Sequence, residues 1–140
     1  MDTMILRPAP DGSRVLVASP LEAVTLILPG ERPPSWNAAY AGQHWAKRAE
    51  VVARIRAAVR AALDPDWPLF EGLVDITVTA VFDKQPLDAD NIPAKLYVDG
   101  LKGWLLADDD LAHVRSVRTV ALVDPARPRV EITVETEDWL

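Results

Sequence analysis

There is no cysteine anywhere in the 140 residues, and that single absence removes disulfides, thiol nucleophiles and zinc-thiolate sites together. A metal held by this chain must sit on oxygen or imidazole. Histidine is scarce as well, with only two, His44 and His113, so carboxylates are the abundant ligand type and favour hard cations. No apolar run approaches the roughly 18 residues needed to span a bilayer. The first ten residues have neither the basic start nor the apolar stretch of a signal peptide. These absences predict a cytoplasmic protein with no membrane partner. Positive charge is in deficit, with 15 Lys and Arg against 21 Asp and Glu for a net charge of -6. Such a surface does not attract nucleic acid as a whole, so any contact with phosphate has to be local.

What is present reads as one ordinary folded domain over 1–140, with 49% hydrophobic and 26% charged residues. Two short apolar runs between Met4 and Ala18 flank Asp11-Gly12, a turn dipeptide suited to a small hairpin. Ala23 to Leu28 alternates as a strand and stops at Pro29-Gly30, and Pro33-Pro34-Ser35 makes the loop behind it. Between Gly42 and Leu63, Trp45, Ala49, Val52, Ile55, Val59 and Ala62 recur at steps of three and four, which predicts a helix with one buried stripe. Val74 to Phe82 is a half-buried strand by its alternation. A short helix is expected after Asp88-Ala89-Asp90-Asn91, with Asp or Asn as its cap and Pro93 in its first turn. His113 to Val123 and Val130 to Thr136 follow as strands. This order predicts a small α/β (α+β) domain, a mixed sheet with two main helices packed on it.

Charge is unevenly spread along the chain. The 42–63 helix carries Lys47, Arg48, Arg54, Arg56 and Arg60 against Glu50 alone, a local charge of +4. It can meet phosphate, or it can be a solvated face whose arginines pair with acids elsewhere. From Asp83 to Asp110, seven Asp oppose three Lys for a net -4, a crowding that a bound cation relieves. Asp88 and Asp90 are two residues apart, so in extended backbone both carboxylates project to one side. Such a pair, with one more carboxylate from Asp108 to Asp110, matches the oxygen-rich coordination of magnesium. Lys95 and Asp99 lie one helical turn apart, and Lys95 is placed to reach a phosphate oxygen. Taken singly, these acids also serve as turn and cap residues.

Read in order, Leu28-Pro29-Gly30, Pro33-Pro34-Ser35-Trp36-Asn37 and Tyr40, then Asp88-Ala89-Asp90-Asn91, Lys95, Asp99-Gly100-Leu101 and Asp108-Asp109 before His113-Val114 resemble the RusA Holliday-junction resolvase family. The resemblance runs from about Thr25 to Thr136 and leaves 1–22 as an N-terminal extension. It implies the small α/β fold of that family, frequent in phages and prophages. It further implies a homodimer that resolves four-way DNA junctions with Mg2+ or Mn2+. By the same resemblance Asp88, Asp90 and Asp109 are the catalytic metal ligands, with Asp108 or Asp110 as alternates for the third. Lys95 is the essential lysine, and Asn91 and Asp99 are supporting motif positions. The basic residues of the 42–63 helix would then contact the DNA backbone. Two other readings are a non-catalytic binding module of the same fold, for nucleic acid or protein, and a phosphohydrolase for a small nucleotide.

Overall fold

The computed structural model describes the backbone of residues 3–8, 14–19, 23–40 and 45–136, with side chains from 23–39 and 45–136. Strands β1 (Thr3–Pro8) and β2 (Arg14–Ser19) pair antiparallel from Thr3↔Ser19 to Pro8↔Arg14, which is the expected hairpin. Its Asp11-Gly12 turn lies outside the described residues, as do Gly42 and His44.

The main sheet has four strands, β3 (Ala23–Pro29), β4 (Val74–Phe82), β5 (Val114–Val123) and β6 (Arg129–Thr136), in the order β3-β6-β4-β5. Both β6 pairings are antiparallel, whereas β4 and β5 run parallel, so the sheet is mixed as expected. Alternation selects its inner face. Val24, Leu26 and Leu28 of β3, Val74, Ile76, Val78 and Ala80 of β4, and Val130, Ile132 and Val134 of β6 are all buried. The register sets Leu26 beside Ile132 and Ile132 beside Val78, a continuous apolar row in which each side chain contributes about 2 kcal/mol. The opposite face presents Thr25, Thr77, Thr79 and Thr133, and the Thr25 and Thr133 hydroxyls share a hydrogen bond of 3.0 Å across the strands.

Among the described residues the α-helices are α1 (Trp36–Tyr40), α2 (Trp45–Ala62) and α3 (Ala94–Asp99); α2 and α3 pack on the sheet, and α1 packs on α2. The short α1, between the Pro33-Pro34-Ser35 loop and the long helix, is not among the elements expected from the sequence. One local and one distant contact cap it: Ser35 Oγ accepts the Ala38 N–H at 3.0 Å, and Asn91 Oδ1, far along the chain, accepts the Trp36 N–H at 3.0 Å, so two otherwise orphan donors are satisfied. Helix α2 is built from alanine and arginine with no Gly or Pro, as helix propensity favours. Its expected stripe holds only in the C-terminal part. Ile55 and Val59 are fully buried and Val52 and Ala62 partly so, whereas Trp45 is 70% exposed and Ala49 is exposed. Helix α2 packs on β3, α3 and α1.

Helix α3 packs against α2, β4 and β5, burying Ala94, Leu96, Tyr97 and Val98. Its cap is Pro93, with no side-chain hydrogen bond, rather than the expected Asp or Asn. Asn91 is already committed to α1. Just beyond α3, a Cβ on Gly100 would stand 2.9 Å from Val59 Cβ, so glycine permits the close approach of the two helices.

One buried charge ties these elements together. Glu31, 8% exposed in the loop after β3, accepts hydrogen bonds from Arg54 Nη1 of α2 at 2.6 Å and from Tyr97 Oη of α3 at 2.9 Å. Burial, and then the Glu31 charge, push the Tyr97 phenol well above its ordinary value, so it stays a donor. In urea denaturation Tyr97→Phe should cost about 1 kcal/mol, the worth of one hydrogen bond. Arg54→Met should cost more, about 2–3 kcal/mol, because it strands a buried carboxylate whose partner is half exposed. Equal losses would contradict the role given to the charge.

Candidate metal centre

Because β4 and β5 are parallel neighbours, the chain must cross from the end of one to the start of the other. That crossover, residues 83–113, is the acidic segment. It leaves β4 through Gln85, whose φ of 52° lies in the left-handed region, and reaches a single 3-10 turn at Ala89–Asn91. The extended, side-by-side Asp88 and Asp90 expected from their spacing are not seen. Strand β4 has already ended at Phe82, and only Asp88 is extended, at φ -65° and ψ 150°. Asp90 sits inside the turn, closed by the Asn91 N–H donating to the Asp88 carbonyl at 2.9 Å. Both aspartates are exposed. The turn packs against β5 and is moored to α1 through Asn91.

Helix α3 turns its apolar side inward, leaving Lys95 outward and Asp99 half exposed. Lys95 Nζ lies 3.4 Å from Asp99 Oδ1, which bears out the one-turn spacing. Leu101, Leu105 and Leu106 are fully buried and anchor the stretch beyond, which turns at Gly103, φ 81°, with the Gly103 N–H donating to the Leu106 carbonyl at 2.6 Å. This loop returns Asp108 and Asp109 to α3. Lys102 Nζ then stands 3.0 Å from Asp109 Oδ1, 3.5 Å from Asp99 Oδ1 and 4.0 Å from Asp108 Oδ1, and Lys95 Nζ stands 4.0 Å from Asp109 Oδ2. Two ammonium groups thus face two central carboxylates.

The three consecutive aspartates have different surroundings. Asp109, its side chain 25% exposed, borders a cleft of about 340 Å3 also lined by Trp36, Lys95, Val98, Val114 and Val117. Burial raises its carboxyl, but the Lys102 hydrogen bond and charge outweigh that and hold it below the ordinary 3.8. Asp110 turns to His113, whose Nδ1 is 2.5 Å from its Oδ1, and that contact lowers its pKa. Asp108 is exposed and accepts the Asp109 N–H at 2.8 Å. Asp109 alone of the three therefore shares the cleft with Lys95.

Asp88 and Asp90 are not among the residues lining that cleft. Among the described residues, no group of three or more His, Asp or Glu stands close enough to hold an ion. The donor chemistry fits a hard divalent cation, since every candidate offers carboxylate oxygen, but the third carboxylate is not gathered with the first two.

The basic helix divides likewise. Lys47 and Arg56 are exposed and Arg48 is half exposed, and among the described residues none of them forms an ion pair. Arg54 is spent on Glu31, and the Arg60 guanidinium lies 6.0 Å from the Trp104 ring centre, within cation–π range. Sequence reasoning missed Lys102, although its spacing of three from Asp99 placed it near the same acids. It also missed Glu31, for which an isolated acid in a loop gives no signal. No family model matches the chain, and no curated protein is significantly similar to it.

Acid should act on this cluster with a definite sign. Asp109 has a folded pKa below 3.8, so its stabilisation is complete above the unfolded value and is lost as pH falls through the lowered one. Lys102, raised chiefly by the Asp109 hydrogen bond, loses its share only as pH rises through its own elevated value. Asp109→Asn should therefore lower the melting temperature at neutral pH and converge with the native chain under strong acid. Parallel curves at all pH values would show that the pair contributes nothing.

Proposed function

We propose that this chain is an endodeoxyribonuclease that cuts the phosphodiester backbone of branched DNA with Mg2+ or Mn2+, working as a homodimer on four-way junctions. The observation that carries this reading is the shared cleft of Lys95 and Asp109, whose lining residue Trp36 donates its N–H to Asn91 in the turn that carries Asp88 and Asp90. Asp88, Asp90 and Asp109 would hold the cation. In such a site a divalent cation polarises the phosphoryl group and activates water. Lys95 would donate to a phosphate oxygen and stabilise the charge that builds on it during cleavage. Asn91, through α1, and Asp99, through Lys95, fix the positions of their neighbours. Lys47, Arg48 and Arg56 supply backbone contacts from α2, which packs directly on α3.

The competing reading is a binding module of the same fold, and one observation favours it: the three aspartates do not form a ready cation site among the described residues. For the described residues, no helix is long and apolar enough to cross a membrane.

A labelled synthetic four-way junction, incubated with Mg2+, Mn2+ or chelator, separates the two. The native chain should make paired, metal-dependent incisions. Asp90→Asn should reduce cleavage on the order of 100-fold or more, as loss of several kcal/mol of charge stabilisation implies, while junction binding persists. Binding without cleavage by the native chain would support the module instead. In the same assay, replacing Lys47 and Arg56 together by Gln in both copies should weaken binding and lower the slope of log affinity against log salt by about 4, one for each of the four charges removed from the dimer. An unchanged slope would remove α2 from the DNA contact.

A further inference from the structure

We infer that the cleft beside Lys95 is a pocket for one unpaired nucleobase, seated against Trp36, of a DNA strand whose phosphate meets Lys95. The inference deepens the proposed function and rests on its DNA substrate, but it needs no bound metal. Its ground is what the cleft is made of. Five of the seven residues that line it are apolar: Trp36, Ala94, Val98, Val114 and Val117. Ala94, Val98 and Val114 are buried and form a closed floor, whereas Trp36 is half-exposed and Val117 is 48% exposed, so these two stand as walls open to solvent. The volume of about 340 Å3 is at the lower end of the roughly 300–1,000 Å3 of small-ligand pockets. That suits a single ring system and is far too small for a duplex.

The two polar groups at this apolar surface select what the ring belongs to. Lys95, its side chain 58% exposed, offers an ammonium to an anion attached to the ring. Asp109 takes Lys102 on Oδ1 at 3.0 Å, and its Oδ2, 4.0 Å from Lys95, has capacity left to accept an N–H from the ring edge. An unpaired base meets all three demands: a flat apolar face, at least one N–H on its Watson–Crick edge, and a phosphate one sugar away. Pairing and stacking in a duplex hide the face and the edge together. The pocket therefore reads the absence of pairing, which is what distinguishes a branch point from plain duplex. Its walls are set in advance. Asn91 fixes Trp36 through the backbone N–H at 3.0 Å, and the Asp110 carbonyl accepts the N–H groups of His113 and Val114 at 3.0 and 2.9 Å. That turn also displays Leu111, 91% exposed and two residues beyond Asp109, an apolar side chain suited to fill the gap that a base leaves in its stack.

Binding to the full chain is read by fluorescence anisotropy, in chelator and at low salt. The probes are a labelled oligothymidylate about ten nucleotides long, within the roughly 4–16 that a single-strand site covers, and the same sugar-phosphate strand without bases. The native chain should bind the first about tenfold more tightly, the order expected for one base stacked on an aromatic side chain. Val117→Trp fills the cleft from an exposed position on the edge strand β5 and should abolish that preference. Trp36→Ala should abolish it as well, while Trp36→Phe keeps most of it. Leu122→Trp, similarly exposed on the same strand but outside the cleft, should retain it in full. Equal binding of both strands by the native chain, or an undiminished preference in Val117→Trp, would overturn the base pocket; metal-dependent incision of the four-way junction would then show that the nuclease reading stands without it. If the native chain binds neither strand nor the junction, both fall. Thymidine monophosphate competing as well as the oligothymidylate would overturn the strand as occupant in favour of a free nucleotide.

Discussion

The helix layer depends on Glu31. A carboxylate at 8% exposure is costly unless each oxygen finds a partner, and here Oε1 takes Arg54 and Oε2 takes Tyr97. Those partners lie on α2 and α3, while Glu31 itself follows β3. The arrangement fixes three separate stretches of chain relative to each other with directional bonds, which apolar packing alone does not do. Since α3 carries Lys95 and Asp99, the position of the candidate site on the sheet follows from this one charge. Gly100 adds the steric half of the same constraint by letting α3 end against Val59.

Strand order supplies the second constraint. Inserting β6 between β3 and β4 leaves β5 to pair with β4 on the far side, and the parallel sense of that pair requires a long connection. The connection has little freedom because its middle is buried: Ile92, Tyr97, Leu101, Leu105 and Leu106 are each 1% exposed or less. Acidic residues occupy the points where the chain surfaces between those anchors. A loop with seven Asp is therefore held close to the sheet by apolar residues interleaved with the charges, and the cleft beside Asp109 forms where it meets β5.

Much of this was legible in the sequence wherever local pattern and tertiary packing agree. Three strands of the main sheet, β3, β4 and β6, follow their alternation, because an inner face of Val, Ile and Leu admits only one register, whereas the edge strand β5 buries Val114 but leaves Val117, Leu122 and Val123 exposed. The basic helix was visible from period and composition. Its first turns were misjudged because periodicity reports which residues share an apolar face, whereas burial depends on what packs against that face. The turn at 88–91 was misread for a related reason. Spacing of two aligns carboxylates only in extended backbone, and the hydrogen bond that curls Asp90 into a 3-10 turn leaves no mark in residue types. Lys95 and Asp99 were readable since one helical turn is a fixed distance. Contacts between Lys102 and Asp109, or between Arg54 and Glu31, join distant segments, and charge counts along the chain do not reveal which acid each base will choose.

That choice changes what the charges can do outside the fold. The apparent +4 of α2 is reduced once Arg54 is spent on Glu31, and Arg60 is directed to the Trp104 ring, leaving Lys47, Arg48 and Arg56 for an external anion. Three contacts on a chain of net charge -6 are too few for firm attachment to a polyanion, because affinity scales with the number of phosphates neutralised. Two additions would correct the balance within the proposed reading. A divalent ion at the acidic crossover removes much of its -4 where a phosphate must approach, and a second copy of the chain doubles the basic helix presented to one DNA. Metal and dimerisation would then matter for substrate capture as well as for cleavage. Under the proposed function, the native chain without metal would hold branched DNA weakly despite its arginines, because their charge is opposed by the aspartates assigned to the metal.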